Sequence, residues 1–342
     1  MNTMAYKVTR RGFIGGALAA AGAMPLFAAD DRQPWYEKEV FGEDLLGQPV
    51  MEGFRPTVLE LRVGAKKPFE MLHISDSHLV TLGSDDLARA DKKDIAYFRT
   101  RLKAFGHPKN VEMFAAALAY ANAKGLPILH TGDLLDFVSD GGLAQVRRDM
   151  DGRRWLYAIG NHEYSGTAKP SPKREWLKDA RRKMEETYPN SVTCASKVVN
   201  GVNIVTFDNV GMSNDVFEAQ FAAIRKEFAK GLPTVLAYHI PFYTQDLAEH
   251  SVNLVQTTPN HWARNILKSV ADLNSGWLAA CPGKGDLQIN KKLVEWLPKQ
   301  KNLKALLCGH KHFEYQTQFC ENVTQYVCGA TLNGNAYHIK FV

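Results

Sequence analysis

One stretch decides the fold of this 342-residue chain, His73-Ile74-Ser75-Asp76-Ser77-His78. It closes an apolar run, Phe69 to Ser75, that predicts a β-strand ending at Asp76. Because residues i and i+2 of an extended segment point the same way, we expect Asp76 and His78 to leave the strand side by side. A carboxylate oxygen and an imidazole nitrogen aimed at one point suit a transition-metal site. An isolated Asp-x-His would be better explained by a solvated turn, so the rest of the chain must decide.

Four further polar clusters follow, each at the end of a predicted strand: Gly132-Asp133-Leu134-Leu135-Asp136, Gly160-Asn161-His162-Glu163, His239-Ile240-Pro241 and Cys308-Gly309-His310-Lys311-His312. The preceding strands are predicted at 126–131, 154–159, 233–238 and 304–307. A glycine at a strand end lets the backbone turn sharply, and the two oxygens of one carboxylate can bridge two cations. Sheets of α/β proteins place their sites at the carboxyl ends of strands. Five such clusters favour a metal site over five unrelated turns.

The remaining pattern alternates strands with helices, which predicts a layered α/β domain. Helices are predicted at 111–124, 142–150, 173–187, 215–230 and 287–296, and further strands at 58–63, 191–199, 202–207, 313–319, 323–329 and 336–341. Residues 79–108 are charged and weakly patterned, and are predicted as a long excursion without regular structure. Residues 242–287 are predicted as an insertion whose Trp and Tyr side chains either form a substrate wall or simply pack.

The first 29 residues resemble a twin-arginine export signal, because Thr9-Arg10-Arg11-Gly12-Phe13-Ile14 precedes an apolar run rich in Ala and Gly. The run is shorter than the roughly 20 residues of a spanning helix. An N-terminal anchor helix and an inconsequential basic tail are the alternatives. The resemblance implies export of the folded chain by the twin-arginine (Tat) translocase into a bacterial periplasm. Cleavage near Ala28-Ala29 would leave no stable membrane insertion, although the exact site stays open.

The predicted organisation is therefore a signal peptide at 1–29, an N-terminal extension with the first strand at 30–67, and a domain at 68–342. A net charge of +6 is mild, and three of the basic residues lie in the first 29, so no nucleic-acid partner is predicted. Five cysteines at irregular spacing exclude a zinc-finger pattern. Free buried thiols are predicted for them, with a pair between Cys320 and Cys328 across a hairpin as the alternative.

The order and contexts of the five clusters resemble the calcineurin-like metallophosphoesterase superfamily, over about residues 69–313. The resemblance implies an α/β fold, a four-layer αββα sandwich of two mixed β-sheets flanked by helices. It also implies a dinuclear centre of divalent or trivalent ions, Mn, Fe or Zn. One metal would be held by Asp76, His78 and His312, the other by Asn161, His239 and His310, with Asp133 as the bridge.

By the same resemblance His162 would contact the substrate without binding metal, and Asp136 would hydrogen-bond His162 and fix its tautomer. A hydroxide bridging the metals would attack the phosphorus of a small phosphorylated substrate, and the net positive site would attract phosphate without arginines. The implied function is a phosphomonoesterase or phosphodiesterase. A catalytically silent periplasmic binding or scaffold protein with the same fold is the alternative, and intact ligands favour the enzyme.

Two departures from family branches carry further expectations. Purple acid phosphatases have a tyrosine where Asp136 stands, so no charge-transfer colour is expected. Protein Ser/Thr phosphatases continue with Arg-Gly where this chain has Phe137-Val138, which weakens that assignment, and about 30 residues after His312 leave no room for a nucleotidase specificity domain. Of the other histidines, His73 and His130 are predicted in the core or behind the ligands. The remaining four are predicted on the surface or in loops: His107, His250, His261 and His338.

Overall fold

The computed structural model describes residues 53–105, 108–164, 174–211, 217–282 and 286–342, without the side chains of 174–179. The predicted export signal, most of the predicted extension and His107 lie outside the described residues.

Eleven strands and eight α-helices are present in the described part of the chain. The strands are β1 (Arg55–Leu61), β2 (Phe69–Ile74), β3 (Ile128–His130), β4 (Trp155–Tyr157), β5 (Cys194–Val199), β6 (Val202–Phe207), β7 (Thr234–Ala237), β8 (Leu303–Cys308), β9 (Tyr315–Cys320), β10 (Val323–Val327) and β11 (Asn335–Phe341). The helices are α1 (Ser84–Arg89), α2 (Lys92–Ala104), α3 (Lys109–Lys124), α4 (Asp140–Met150), α5 (Arg174–Thr187), α6 (Phe217–Phe228), α7 (Gln245–Thr257) and α8 (Gln288–Trp296).

The strands form two mixed sheets. The first has the order β1-β11-β2-β3-β4, in which only the β11–β2 pair is antiparallel. The second has the order β5-β6-β7-β8-β10-β9, with antiparallel pairs at its two edges. Because β2, β3 and β4 run parallel, and β7 and β8 do too, the loops that follow them open at the carboxyl ends of their sheets.

The two sheets pack face to face through alternate side chains of their strands. Leu129 and Ile339 of the first sheet share one apolar core with Val235 and Leu307 of the second. Helices α3, α4 and α5 cover the outer face of the first sheet, and α6, α7 and α8 cover that of the second. The arrangement is helix, sheet, sheet, helix, which confirms the predicted four-layer αββα fold.

The prediction of an unstructured excursion at 79–108 is wrong, because the segment contains α1 and α2. Asp91 caps α2 by accepting hydrogen bonds from the backbone N–H groups of Lys93 and Asp94. The helix buries Phe98 and Leu102, four residues apart, in a small core of its own with Val80, Leu82 and Phe137. The capping residue and this apolar spacing were visible in the sequence but lie within a strongly charged stretch.

The placement of His338 on the surface is also wrong. It lies buried in β11, between the Tyr120 hydroxyl and the Glu70 carboxylate, at 2.8 and 2.9 Å. The insertion at 242–287 contains α7, and Leu247 and Val255 of this helix belong to the outer core of the second sheet. The five cysteines are all free thiols, and those at 281, 308 and 328 are buried.

We expect the core between the sheets to dominate stability. Leu307→Ala should lower the free energy of unfolding by about 2–5 kcal/mol, because Leu307 is fully buried between two sheets that cannot collapse around a cavity. Chemical denaturation followed by circular dichroism measures the change. The control Val198→Ala, at a side chain that is 47% exposed, should cost less than about 0.5 kcal/mol. Equal losses in the two variants would contradict this view of the core.

Candidate metal centre

The backbone at the strand ends is held in an unusual conformation. Eight non-glycine residues in the described ranges have positive φ, and five of them are predicted metal ligands: Asp76 (54°), His78 (45°), Asp133 (53°), His310 (72°) and His312 (59°). Each such residue costs on the order of 1–3 kcal/mol unless its surroundings impose it. Such outliers concentrate where function requires a fixed side-chain direction, so the strain itself marks this end of the sheets.

The loops after β2 and β3 are joined by backbone hydrogen bonds. Asp76 N donates to Gly132 O, and His78 N donates to Asp133 O, both at 2.9 Å. Two glycines permit the closest approaches between loops. A methyl group on Gly160 would overlap the Asp133 carboxylate, and one on Gly309 would overlap the Ser75 hydroxyl. Gly160 and Gly309 therefore do more than end strands, because their lack of a side chain lets the loops that carry the polar clusters approach one another.

The first three predicted ligands meet at one point. Ligand atoms of Asp76, His78 and His312 all lie within 4.8 Å of one another. His78 Nε2 is 3.1 Å from His312 Nε2, and Asp76 Oδ1 is 3.3 Å from that same His312 nitrogen. The residues that the family resemblance assigns to one metal thus lie together, although 236 positions separate the first from the last.

The residues assigned to the second metal also converge. Ligand atoms of Asp133, His239 and His310 lie within 4.8 Å of one another. His239 Nε2 is 3.1 Å from Asp133 Oδ2, 3.0 Å from Asn161 Oδ1 and 3.2 Å from His310 Nδ1. Asp133 Oδ2 also lies 3.7 Å from His78 Nε2. Asp133 Oδ2 therefore lies between the two groups.

His162 is placed beside both groups rather than within either predicted set. Its backbone N–H donates to Asp133 Oδ1 at 2.8 Å, and its Nδ1 lies 2.8 Å from Asp136 Oδ1. Its Nε2 is 4.0 Å from Asp133 Oδ2, so it also forms a ligand-like cluster with Asp133 and His78. The hydrogen bond from His162 to Asp136, which the resemblance implied, is present.

The donor set fits metal ions on two structural grounds. Asp76 Oδ1 is buried and accepts no well-oriented hydrogen bond from the described residues, and its contact with His312 Nε2 at 3.3 Å joins two groups that can share a cation. Three imidazoles have one nitrogen beside an acceptor outside the cluster, which leaves the other nitrogen free to face the ligands. These contacts are His78 Nδ1 to Asp136 Oδ1, His239 Nδ1 to Thr131 O and His310 Nε2 to Gly276 O, at 3.3, 2.7 and 2.9 Å. Metal-binding histidines are oriented in this way.

The charges of the site depend on one another. Burial raises the pKa of the Asp133 carboxyl, but His239 and His162 outweigh burial and hold that pKa well below its usual range. Burial lowers the pKa of His239, yet Asp133 outweighs it and raises the pKa to about 9. Burial dominates at His310, where the pKa falls to about 3. Before any cation binds, the positive charge that balances the carboxylates therefore includes a proton on His239.

Two residues that hold the site were missed by the sequence analysis. Arg101 of α2 donates from Nε and Nη2 to both oxygens of Asp136, each at 2.6 Å. Glu163 is fully buried and accepts from the backbone N–H groups of Asp133, Leu135 and Gly160 at 3.1, 2.9 and 3.0 Å. Glu163 belongs to the cluster Gly160-Asn161-His162-Glu163, but the sequence does not show that it is buried. Arg101 was missed because helix α2 was not predicted.

The other predicted histidines surround the site without joining it. His73 and His130 are fully buried, and bond the hydroxyls of Thr131 and Ser77 at 2.8 and 3.2 Å. Both therefore lie in the core behind the ligands, as predicted. His250 stacks on Tyr315, with ring centroids 4.3 Å apart. None of these rings lies in a group of potential metal ligands in the described part of the chain.

A cavity of about 460 Å³ opens beside Asn161. Its wall includes polar and apolar residues from four stretches of the chain, Asn209 and Val210, Ile240, Ser275 and Gly276, and Asp286 and Leu287. Next to Gly276, Trp277 stacks on Trp262, with ring centroids 5.6 Å apart. Part of the predicted insertion thus reaches the site. Within the described residues, no helix has the length and apolarity needed to cross a membrane.

The calcineurin-like phosphoesterase family matches residues 69–314. No match was found among curated proteins. Similar solved structures include a dimetal phosphatase from Danio rerio (10% identity, 78% of this chain and 88% of that chain, TM-score 0.44) and the phosphopantetheinyl hydrolase of Mycobacterium tuberculosis (13%, 77% and 90%, 0.40). A 5'-nucleotidase from Candida albicans is also similar (12%, 82% and 48%, 0.40). These scores are too low to assign a substrate to this chain.

We expect Gly160→Ala to empty the centre. The new methyl group would displace the Asp133 carboxylate, so metal content after purification should fall to less than about half of that of the unmodified chain. Elemental analysis measures this directly. The control Gly83→Ala adds a methyl group with ordinary contacts of 3.5 Å, and should keep its metal. A fully loaded, folded Gly160→Ala protein would show that this close approach is unimportant.

Metal affinity should rise with pH. Metal binding must displace the proton that His239 holds below a pKa of about 9, so Zn²⁺ affinity should rise about tenfold per pH unit for each proton released. That proton stabilises the metal-free fold fully below pH 6.5, and the contribution is lost as pH rises through about 9. The stabilisation by metal should therefore grow with pH. Competition with a chromogenic chelator from about pH 6 to about pH 8 tests this, and an affinity independent of pH would contradict it.

Proposed function

Because the chain belongs to the calcineurin-like phosphoesterase family, we propose that it is a dinuclear metal-dependent hydrolase of phosphoric esters. The observation that carries the proposal is the convergence of two ligand groups on either side of Asp133. A lone metal site would need only one of these groups. Two cations held close together are the arrangement that clamps the attacking and leaving oxygens of a displacement at phosphorus.

We propose that Asp76, His78 and His312 hold one ion, that Asn161, His239 and His310 hold the other, and that Asp133 bridges them. Imidazole, carboxylate and amide donors suit Mn, Fe or Zn. When bound, the ions would supply positive charge to the phosphoryl group and an acidified water as nucleophile. Asp133 can serve both ions, because Oδ2 faces the ligands of both groups while the His162 N–H group fixes Oδ1.

His162 is proposed as the proton donor. Its Nδ1–H group has acceptors at 2.8 and 3.1 Å, the Asp136 carboxylate and the Asp136 carbonyl, so Nδ1 carries a hydrogen. Burial lowers the pKa of His162, but Asp133 and Asp136 outweigh burial and raise it to about 9. Nε2 therefore also carries a proton at neutral pH, on the side facing Asp133. From there it can donate to a phosphoryl oxygen or to the leaving oxygen.

The cavity beside Asn161 is proposed as the position of the rest of the substrate. It adjoins a predicted metal ligand and has room for an organic group as well as phosphate. Its mixed wall of amide, hydroxyl, carboxylate and aliphatic groups favours a small organic ester over a polymer. Whether the ester is a monoester or a diester is a question for the assay below.

The N-terminal sequence supports a periplasmic location. The arginine pair at Arg10 and Arg11 and the apolar run after it are typical of export by the twin-arginine translocase, which carries folded proteins. We propose that the metal-loaded protein acts in the periplasm of a bacterium.

Phosphate release from p-nitrophenyl phosphate and bis(p-nitrophenyl) phosphate, with Mn²⁺ and with EDTA, tests the proposal. His162→Ala should lower kcat about 100-fold or more while both ions remain bound, because His162 donates a proton without being a ligand. Asp133→Asn is the contrast, since it should lose activity and metal together. If His162→Ala instead empties the site, its role is that of a ligand. If the unmodified protein has no metal-dependent turnover on either ester, a silent binding protein becomes the better hypothesis.

A further inference from the structure

Helix α2 and the residue that ends it place two side chains, Arg101 and Phe105, against the site from a segment outside all five ligand clusters. Arg101 lies over the Phe105 ring at 4.6 Å, and Phe105 stacks on the His78 imidazole, with centroids 4.0 Å apart and planes 5° apart. Arg101 also donates to both carboxylate oxygens of Asp136. The contact is therefore a bidentate ion pair between the planar guanidinium group of Arg101 and the planar carboxylate of Asp136.

Asp136 needs this partner. Its carboxylate is fully buried, and its Oδ1 is also 2.8 Å from His162 Nδ1 and 3.3 Å from His78 Nδ1. Burial favours the protonated acid, but hydrogen bonds from Arg101, His162 and His78 outweigh burial and keep the pKa well below its usual range. Arg101 is the contributor whose charge does not depend on pH in the working range.

The state of the His162 ring depends on the same carboxylate. Nδ1 lies 2.8 Å from Asp136 Oδ1 and 3.3 Å from Arg101 Nη2, and it can donate to the first or accept from the second, but not both. The shorter contact is to the acceptor, so the hydrogen stays on Nδ1 while Asp136 is ionised. If the Asp136 carboxylate turned away, Nδ1 would lose the acceptor that fixes the direction of the ring.

We propose that Arg101 is a positioning residue, whose two hydrogen bonds hold the Asp136 carboxylate in place so that it binds the Nδ1–H group of His162 and aims the Nε2–H group at the phosphoryl group. The inference rests on the proposed function for its kinetic consequence, but its structural part does not. Lysine cannot replace Arg101 fully, because an ammonium group does not reproduce two parallel hydrogen bonds to one carboxylate.

Kinetics separate positioning from the two alternatives, substrate binding and simple anchoring of α2. Arg101→Ala should lower kcat at least tenfold, with KM changed less than about threefold and both metals retained. Arg101→Lys should lie between, and guanidinium ion in the buffer should partly restore Arg101→Ala. The control Lys93→Ala removes an exposed positive charge from the same helix and should keep the activity of the unmodified protein. A loss confined to KM, unchanged kcat, or loss of metal would each overturn the proposal.

A second measurement does not depend on turnover. In the Zn²⁺-loaded protein, the ¹⁵N signals of His162, assigned by difference from His162→Gln, should report a hydrogen on Nδ1. In Arg101→Ala they should show a weakened or lost hydrogen bond at Nδ1, and in Lys93→Ala they should be unchanged. An identical His162 spectrum in Arg101→Ala overturns the inference. An inactive unmodified protein with the expected spectra would refute the proposed function alone.

Discussion

Asp133 carries the constraint on which the site depends, a buried carboxylate whose two oxygens have different partners. Oδ1 accepts from the backbone of His162, while Oδ2 faces His239 and His78. A carboxylate without compensating charge would be strongly destabilising at this depth. The surrounding histidines therefore stabilise the buried carboxylate in the folded chain. The negative charge that attracts them would also attract cations to this position.

Much of the fold could be predicted from sequence because the strands that carry the ligands are apolar and end in glycine or polar residues. Asp76, Asp133, Asn161, His239 and His310 each follow such a strand, and the structure brings them together. The assignment of each residue to a metal came from the family resemblance and stays a prediction. The sequence pattern indicates that the clusters are polar and lie near strand ends. It does not indicate which nitrogen of each histidine ring faces the other predicted ligands.

The parts that the sequence analysis missed belong to contacts distant along the chain. Arg101 meets Asp136 across 35 positions, and no periodicity in a charged helix distinguishes it from Arg99 or Lys103. Glu163 was visible as the end of a cluster, but its three backbone donors come from two loops. His338 was misplaced because a single histidine in a strand gives no indication of whether that face is covered. In each case burial decided the role, and burial is a property of the whole packing.

The contact between His310 and Gly276 has a consequence for how metal binding and substrate entry are linked. In the neutral ring of His310, the hydrogen that Nε2 donates to the Gly276 carbonyl leaves the Nδ1 lone pair available to a cation. Gly276 also lines the cavity beside Asn161. With a cation on His310, a molecule that shifted this wall would also change the affinity for that cation, and by linkage the cation would change the affinity for the molecule by the same factor.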